Sequence, residues 1–321
     1  MFDREHRRQA KEPSPAARRQ FLAGLSSLAA AAWIGIGSRS SAAEPAAATP
    51  AALPMIQLGK YRISRLVAGS NPILGYSYLG PHTDQHMKEY FTTERTVGFL
   101  EQCERAGINV HQFSTVDRRA EGLRLLRERG SKMHFILLHS ERDKIKTAVE
   151  LTQPIAMVHH GGATDRLFAE GRSERVHDYV KAVHDSGLLA GVSAHNPDCI
   201  RRVADEGWEV DFFMTCFYFV TRKAFKIEAE TPTLDVSYSF FKDDPLKMTE
   251  VVRQVKQPCL GFKILAAGRR CASQQAVREA FRFAFSRIKP SDGVIVGMYP
   301  RFFDEVGANA GYTRELGQIS G

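Results

Sequence analysis

From residue 65 onward the chain repeats one unit eight times, a short apolar run followed by an amphipathic stretch long enough for a helix. The runs cover 65–70, 108–113, 134–139, 155–160, 189–195, 211–218, 259–264 and 293–299. They are too short for core helices and apolar on both faces, which is the pattern of strands in a parallel sheet covered by helices. Helical periodicity lies between them at 93–106, 117–129, 142–151, 173–186, 197–206, 245–256 and 273–288. Gly107, Gly187 and Gly207 close three of these helices, and Asn196-Pro197 supplies a cap followed by a first-turn proline. Eight strand–helix units predict an α/β fold, a closed (β/α)8 TIM barrel forming a single domain over 55–321. A doubly wound dinucleotide sheet is disfavoured, because no Gly-x-Gly-x-x-Gly follows the first run. Two connections exceed the usual short loops, 71–92 with Tyr76, Tyr78, His82 and His86, and 219–244 with Arg222, Lys223 and Lys226. Both follow strands on the face where barrels keep their sites, so both are expected to act as lids.

The segment before the barrel reads as an address. A basic, polar stretch ends in Arg18-Arg19-Gln20-Phe21-Leu22, an apolar tract follows to Gly37, and Ser41-Ala42-Ala43 offers a peptidase site. Residues 1–43 are therefore expected to be a twin-arginine signal peptide, with the translocation machinery as partner and a periplasmic or other extracytoplasmic destination. The tract is short and holds glycine and serine, so no stable membrane span is expected after cleavage. Residues 44–54, rich in alanine and proline, read as a flexible linker. The leader carries seven basic and three acidic side chains of the chain's 44 and 36, so the remainder has a net charge of only +4. With no basic cluster interleaved with aromatics, nucleic acid is excluded as a partner. Five cysteines with no close pair exclude a disulfide framework and a zinc ribbon.

In barrels, chemistry sits where strands end, and the strand ends here are polar. His139, His159 or His160, and His195 finish the third, fourth and fifth runs, and Lys263 lies in the seventh, where burial without an anionic partner or substrate is costly. These five are the catalytic candidates. Asn71, Gln112, Tyr218 and Tyr299 are the substrate-binding candidates. Gly268, Arg269 and Gly297, near the ends of the seventh and eighth runs, form a candidate phosphate or cofactor cradle. Gly161-Gly162 reads as a turn, Asp165-Arg166 as an ion pair at a helix start whose position in the fourth loop leaves a substrate role open, and Cys216 as a packed residue. Strand alternation leaves open which of His159 and His160 faces inward.

The order of motifs resembles the aldo/keto reductases over nearly all of 55–310. Gln57-Leu58-Gly59-Lys60 through Asn71-Pro72 is similar to their first hairpin and strand, Ala106-Gly107-Ile108-Asn109 to the lead-in of strand two, Gly191-Val192-Ser193 to strand five, and Val296-Gly297-Met298 with Glu305 and Asn309 to the eighth unit. The resemblance implies the barrel, carbonyl reduction and NADP(H). It also implies a Tyr proton donor, an Asp–Lys pair and an orienting His. This chain has Gln112 in place of the Asp, falls near Asp117 at the Tyr position, and has Leu138 or His139 in place of the Lys. Only His159 is retained. Ala194 and Met214 stand in the places of the Asn and Gln that read the nicotinamide amide, while Phe262 remains able to stack on a ring.

Three functions follow as expectations. The first is an exported aldo/keto reductase-like enzyme acting on a small carbonyl or carbohydrate-like substrate with NADP(H). The second is a lyase, isomerase or hydrolase on a sugar-like substrate, in which the histidines serve as acid–base groups or ligands of a divalent metal and Lys263 as electrophile or Schiff-base former. The third is a noncatalytic binding protein.

Overall fold

A computed structural model describes residues 51–114, 116, 120–222 and 238–319. The leader, most of the linker, Asp117, Lys223 and Lys226 lie outside the described residues. Strands β1 (Met55–Leu58) and β2 (Tyr61–Ser64) pair as an antiparallel hairpin. Eight parallel strands follow, β3 (Leu66–Gly69), β4 (Val110–Ser114), β5 (His134–His139), β6 (Ala156–His159), β7 (Leu189–Ala194), β8 (Phe212–Cys216), β9 (Cys259–Phe262) and β10 (Gly293–Gly297). Each pairs with the next in sequence, and β10 returns to β3 to close the barrel. All eight apolar runs thus become strands. Six of them stop short of the expected end, so that Tyr218, Lys263 and Tyr299 sit in the loops just beyond.

Alternation divides the apolar residues between two layers. Val67, Val110, Ile136, Val158, Phe212, Met214, Leu260 and Ile295 fill the barrel, joined by Ile56, Leu58 and Ile63 of the hairpin. The hairpin lies against the strand starts, where Tyr61 meets His134 edge to face at 5.3 Å. The floor is therefore plugged with apolar side chains, and polar side chains gather at the mouth. The opposite parity, including Phe113, Leu137, Met157, Val192 and Phe213, packs beneath the helices.

Between β3 and β4 lie α1 (Asn71–Leu74), α2 (Pro81–Tyr90) and α3 (Thr93–Arg105), so the first long connection is largely helical. α4 (Ala120–Glu128) and α5 (Ile145–Thr152) follow β4 and β5. Two helices separate β6 from β7, α6 (Gly161–Ala169) and α7 (Glu174–Asp185). α6 corrects the reading of Gly161-Gly162 as a turn: the pair opens a helix with His160 as its cap residue. α8 (Pro197–Asp205), α9 (Asp244–Gln254), α10 (Gln274–Arg287) and α11 (Glu305–Leu316) complete the shell. Among the described residues, no helix is long and apolar enough to cross a membrane.

The seam where the barrel closes is held by a buried cation. Arg65 donates to the carbonyls of Asp292 (2.9 Å), Lys289 (2.9 Å) and Gly317 (2.8 Å). Asp292, fully buried, accepts from the amides of Cys259 (2.8 Å) and Lys289 (2.7 Å) and pairs with the Lys289 ammonium at 3.0 Å. Buried charge is tolerated here because each polar atom has partners.

Candidate active site

The mouth of the barrel opens into a cavity of about 1160 Å³. Gln112, Ser114, Ser193, Met214, Phe262 and Ile295 line it from the strands, and Asn71, His160, Gly161, His195 and Lys263 from the loops and helix starts just beyond them. It lies slightly above the size range usual for small-molecule pockets and combines apolar walls with a few convergent polar groups.

His195 and Asp165 form the most ordered unit of this site. Asp165 projects from α6 and accepts from His195 Nδ1 at 2.9 Å. It also accepts from the His195 and Asn196 backbone amides, at 3.1 Å each, and from the Thr221 hydroxyl at 2.7 Å. A carboxylate so supplied with donors fixes the proton of the imidazole on Nδ1, which leaves Nε2 as an acceptor. Burial lowers the His195 pKa and Lys263 lowers it further, while Asp165 works the other way, and the ring stays neutral near pH 7. Gly161 makes the approach possible. A Cβ there would stand 2.9 Å from Ser193 Oγ and 3.2 Å from His195 Cε1, so any larger residue would displace the ring.

His160 caps α6 and faces the cavity, which settles the register: it points inward and His159 outward. Burial, then His195 and Lys263, push the His160 pKa down to about 4. Lys263 follows β9 with φ of 59°, a left-handed backbone costly for a side-chain-bearing residue and typical of functional turns. Its ammonium lies 4.7 Å from the Tyr78 ring centroid and 4.9 Å from that of Phe262. Burial alone would lower its pKa, but Cys216 and Tyr78 outweigh that and hold it above the ordinary lysine value. Lys263 is therefore an ammonium at neutral pH. A Schiff-base role would need the free amine. The Cys216 thiol, buried and raised to about 11, is the packed residue expected of it.

The other candidates separate. His159 packs among the helices, with Nδ1 2.8 Å from Thr164 Oγ1 and its ring 5.1 Å from Tyr179. His139 has the same outward parity but still lines the cavity, and its Nδ1 accepts the Glu141 amide at 3.3 Å. His159 is not among the lining residues. Asn71 and Gln112 do line the cavity. Tyr218 does not, packing instead on Phe240 at 5.2 Å. Tyr299 reaches the rim, where its hydroxyl meets His86 Nδ1 at 3.0 Å. Gly297 also stands at the rim, against Pro72. The cradle expected from Gly268 and Arg269 is used differently: their amides donate to Leu265 O (3.1 Å) and Ala266 O (3.2 Å). The Arg269 guanidinium donates to Tyr78 O at 3.2 Å and lies 4.0 Å from the Phe240 centroid, tying the two long connections together. Arg222 likewise turns from the cavity to pair with buried Asp244 at 2.6 Å.

Ser193 and Thr221 are the site residues that sequence reasoning missed, and the contact of Asp165 with His195 was not foreseen. Asp165 does not pair with Arg166. The available signal was the parity of 191, 193 and 195 on one strand, which places Ser193 and His195 together once either faces inward.

Among the described residues no three His, Cys, Asp or Glu side chains group as metal ligands. The outward parity of His159 keeps it apart from His160 and His195. For a nicotinamide, Phe262 is present in the cavity wall, but Met214 offers a thioether and Ala194 packs in the outer layer beneath the helices. At these two positions the residues present do not supply the paired amide contacts that a cofactor's carboxamide needs.

No protein-family profile matches the sequence, and no curated protein matches it. Solved structures do share the barrel. The apo form of Gox0644 aligns with a TM-score of 0.51 at 11% identity, covering 84% of this chain and 89% of that one. The glycerol dehydrogenase AKR11B4 of Gluconobacter oxydans aligns at 0.50 and 11%, covering 84% and 91%. A truncated 3-deoxy-D-arabino-heptulosonate 7-phosphate synthase of Thermotoga maritima aligns at 0.47 and 14%, covering 83% and 91%. At such identities the likeness is one of fold.

Proposed function

We propose that this protein is a barrel enzyme that moves protons on a small, oxygen-rich carbonyl substrate, an isomerase or lyase of sugar-like molecules. The observation that carries the reading is the His195–Asp165 pair, with Nδ1 2.9 Å from a buried carboxylate and the ring on the cavity wall. His195 Nε2 takes a proton from carbon beside the carbonyl, and the charge that moves to the carbonyl oxygen is met by the Lys263 ammonium. The imidazolium then returns the proton to a neighbouring atom. His160, neutral and on the same wall, is placed to relay it.

The reductase reading draws on the barrel shared with the glycerol dehydrogenase. The Met214 and Ala194 positions weigh against it, and no hydride step is assigned here. The test is isotopic. Incubated in D2O with glyceraldehyde, glucose, fructose, gluconate or glucuronate, the enzyme is expected to exchange a carbon-bound proton of at least one, visible by NMR, and His195→Gln to abolish it. Absence of exchange with all five, together with nicotinamide-dependent turnover of any, would replace this reading with the reductase.

Export by the twin-arginine route belongs to the same proposal and rests on Arg18-Arg19 and the tract that follows. Replacing both arginines by lysine should retain the protein in the cytoplasm of a host with that machinery. Unchanged release into the periplasmic fraction would refute the assignment.

A further inference from the structure

The start of α6 faces the cavity, and its cap residue, His160, makes no side-chain capping bond. Gly161 and Gly162 line the cavity, His160 precedes them, and no side chain bonds to the first amides of this nine-residue helix. A helix N-terminus carries partial positive charge and unsatisfied N–H groups, which water or an anion must meet. Beside it stands a second unsatisfied group. Ser193, 1% exposed and of inward parity on β7, lines the same cavity, and among the described residues its hydroxyl has no hydrogen-bond partner. Gly161 presses against it, since a Cβ at 161 would come within 2.9 Å of Ser193 Oγ. A buried hydroxyl left unpaired costs about 1–3 kcal/mol, so its retention on a cavity wall points to a ligand that pairs with it. Lys263 lines the same cavity and carries a positive charge, although Asp84, Glu141 and Glu305 line it too.

We infer that the amides of Gly161 and Gly162 and the Ser193 hydroxyl form an oxyanion subsite, which holds a carboxylate or phosphate group of the substrate while Lys263 supplies the compensating charge. The inference rests on the cavity being the substrate site and adds to that reading the class of molecule it takes, an anionic sugar derivative. This subsite lies after the fourth barrel strand, whereas the expected cradle after the seventh has its turn amides engaged. Glycine at 161 and 162 leaves the backbone open to close approach by a flat or tetrahedral oxyanion.

The experiment is ligand binding by the full exported domain, followed by calorimetry with gluconate, glucose, inorganic phosphate and glycerol 3-phosphate. An anionic probe is expected to bind at least tenfold more tightly than glucose. Ser193→Ala, which removes only an unpaired hydroxyl, should keep the melting temperature and weaken the anion about tenfold without altering glucose. Gly161→Ala should weaken it further. Preference for gluconate identifies the group as a carboxylate and preference for the phosphates identifies it as phosphoryl; either supports the subsite. Equal binding of glucose and the anions, or anion binding indifferent to Ser193→Ala, overturns it. If the wild type binds gluconate through Ser193 yet exchanges no proton in D2O, the subsite stands and the proton-transfer reading fails.

Discussion

His195 and Asp165 come from different helical crossovers, 30 residues apart, and meet through three hydrogen bonds: the carboxylate accepts both the ring Nδ1–H at 2.9 Å and the backbone amide of the same histidine, through both oxygens at 3.1 and 3.2 Å. The double attachment fixes the rotation of the imidazole as well as its tautomer. The Thr221 hydroxyl, 2.7 Å from Asp165 Oδ2, ties the start of the second long connection to the same atom, so loop and base are positioned together.

Asp165→Asn is therefore expected to act on the tautomer more than on the place of the ring. An amide in this position can donate to Nδ1 and drive the proton to Nε2, where the acceptor is needed. Exchange in D2O should fall by about 10²–10⁴, as for other histidine bases deprived of their carboxylate. Because the asparagine also loses acceptor capacity toward buried amides, denaturant melts should show a cost of about 1–3 kcal/mol. A variant with undiminished exchange would remove His195 from the base role.

The barrel was legible because its signal is repeated: eight apolar runs and the helical stretches between them agree on one architecture, and errors at single boundaries do not matter. His160, His195 and Lys263 were legible for a related reason, since any polar residue at a strand end is carried to the mouth. The failures were failures of parity and of local helix formation. His159 shares the polarity of its neighbours but lies one residue out of phase, which sends it beneath the helices, while His139, of the same parity, reaches the cavity lining. The pairing of Asp165 with His195 was hidden because Gly161-Gly162 imitates a turn, although the first glycine serves close packing against Ser193 and His195 within a helix. No spacing rule announces a carboxylate five residues into a crossover helix whose partner lies on the next strand.

Lys263→Met tests the cation. With burial acting against the charge, and with Tyr78 and Phe262 as its ring contacts, methionine should fit the volume and keep or slightly raise the melting temperature. Exchange should fall by about 10²–10³, the usual effect of removing one oxyanion donor. Lys263→Arg keeps the charge and is expected to restore part of it. Full activity in Lys263→Met would show that the developing charge is met elsewhere.

Gln153 offers a stability test remote from the cavity. It ends α5 with φ of 45° and ψ of 56°, a left-handed conformation that costs an L-residue about 1–2 kcal/mol and that glycine adopts freely. The side chain is exposed and its amide donates to Val149 O at 2.8 Å, a bond that glycine preserves. Gln153→Gly should stabilise the fold by about 0.5–1 kcal/mol after the added flexibility of the unfolded chain is subtracted. Denaturant melts at pH 7 check this, and exchange activity should not change.

Acid should weaken the fold through histidines held neutral. His159 is pushed down to about 3 by burial first and then by His160 and His139, and His160 to about 4 by burial first. In the unfolded chain both titrate near 6.5. Between those values the unfolded state binds more protons, so stability rises with pH across the window. It is complete above about pH 6.5 and declines as pH falls toward 3, where the folded state also takes up its protons. His159→Asn preserves a polar partner for Thr164 Oγ1 while removing the titration, and is expected to lose some stability at pH 7 but to lose less than the wild type between pH 6.5 and 4. Parallel acid limbs for the two proteins, measured by urea melts at half-unit steps, would show that His159 is not among the groups that set the decline.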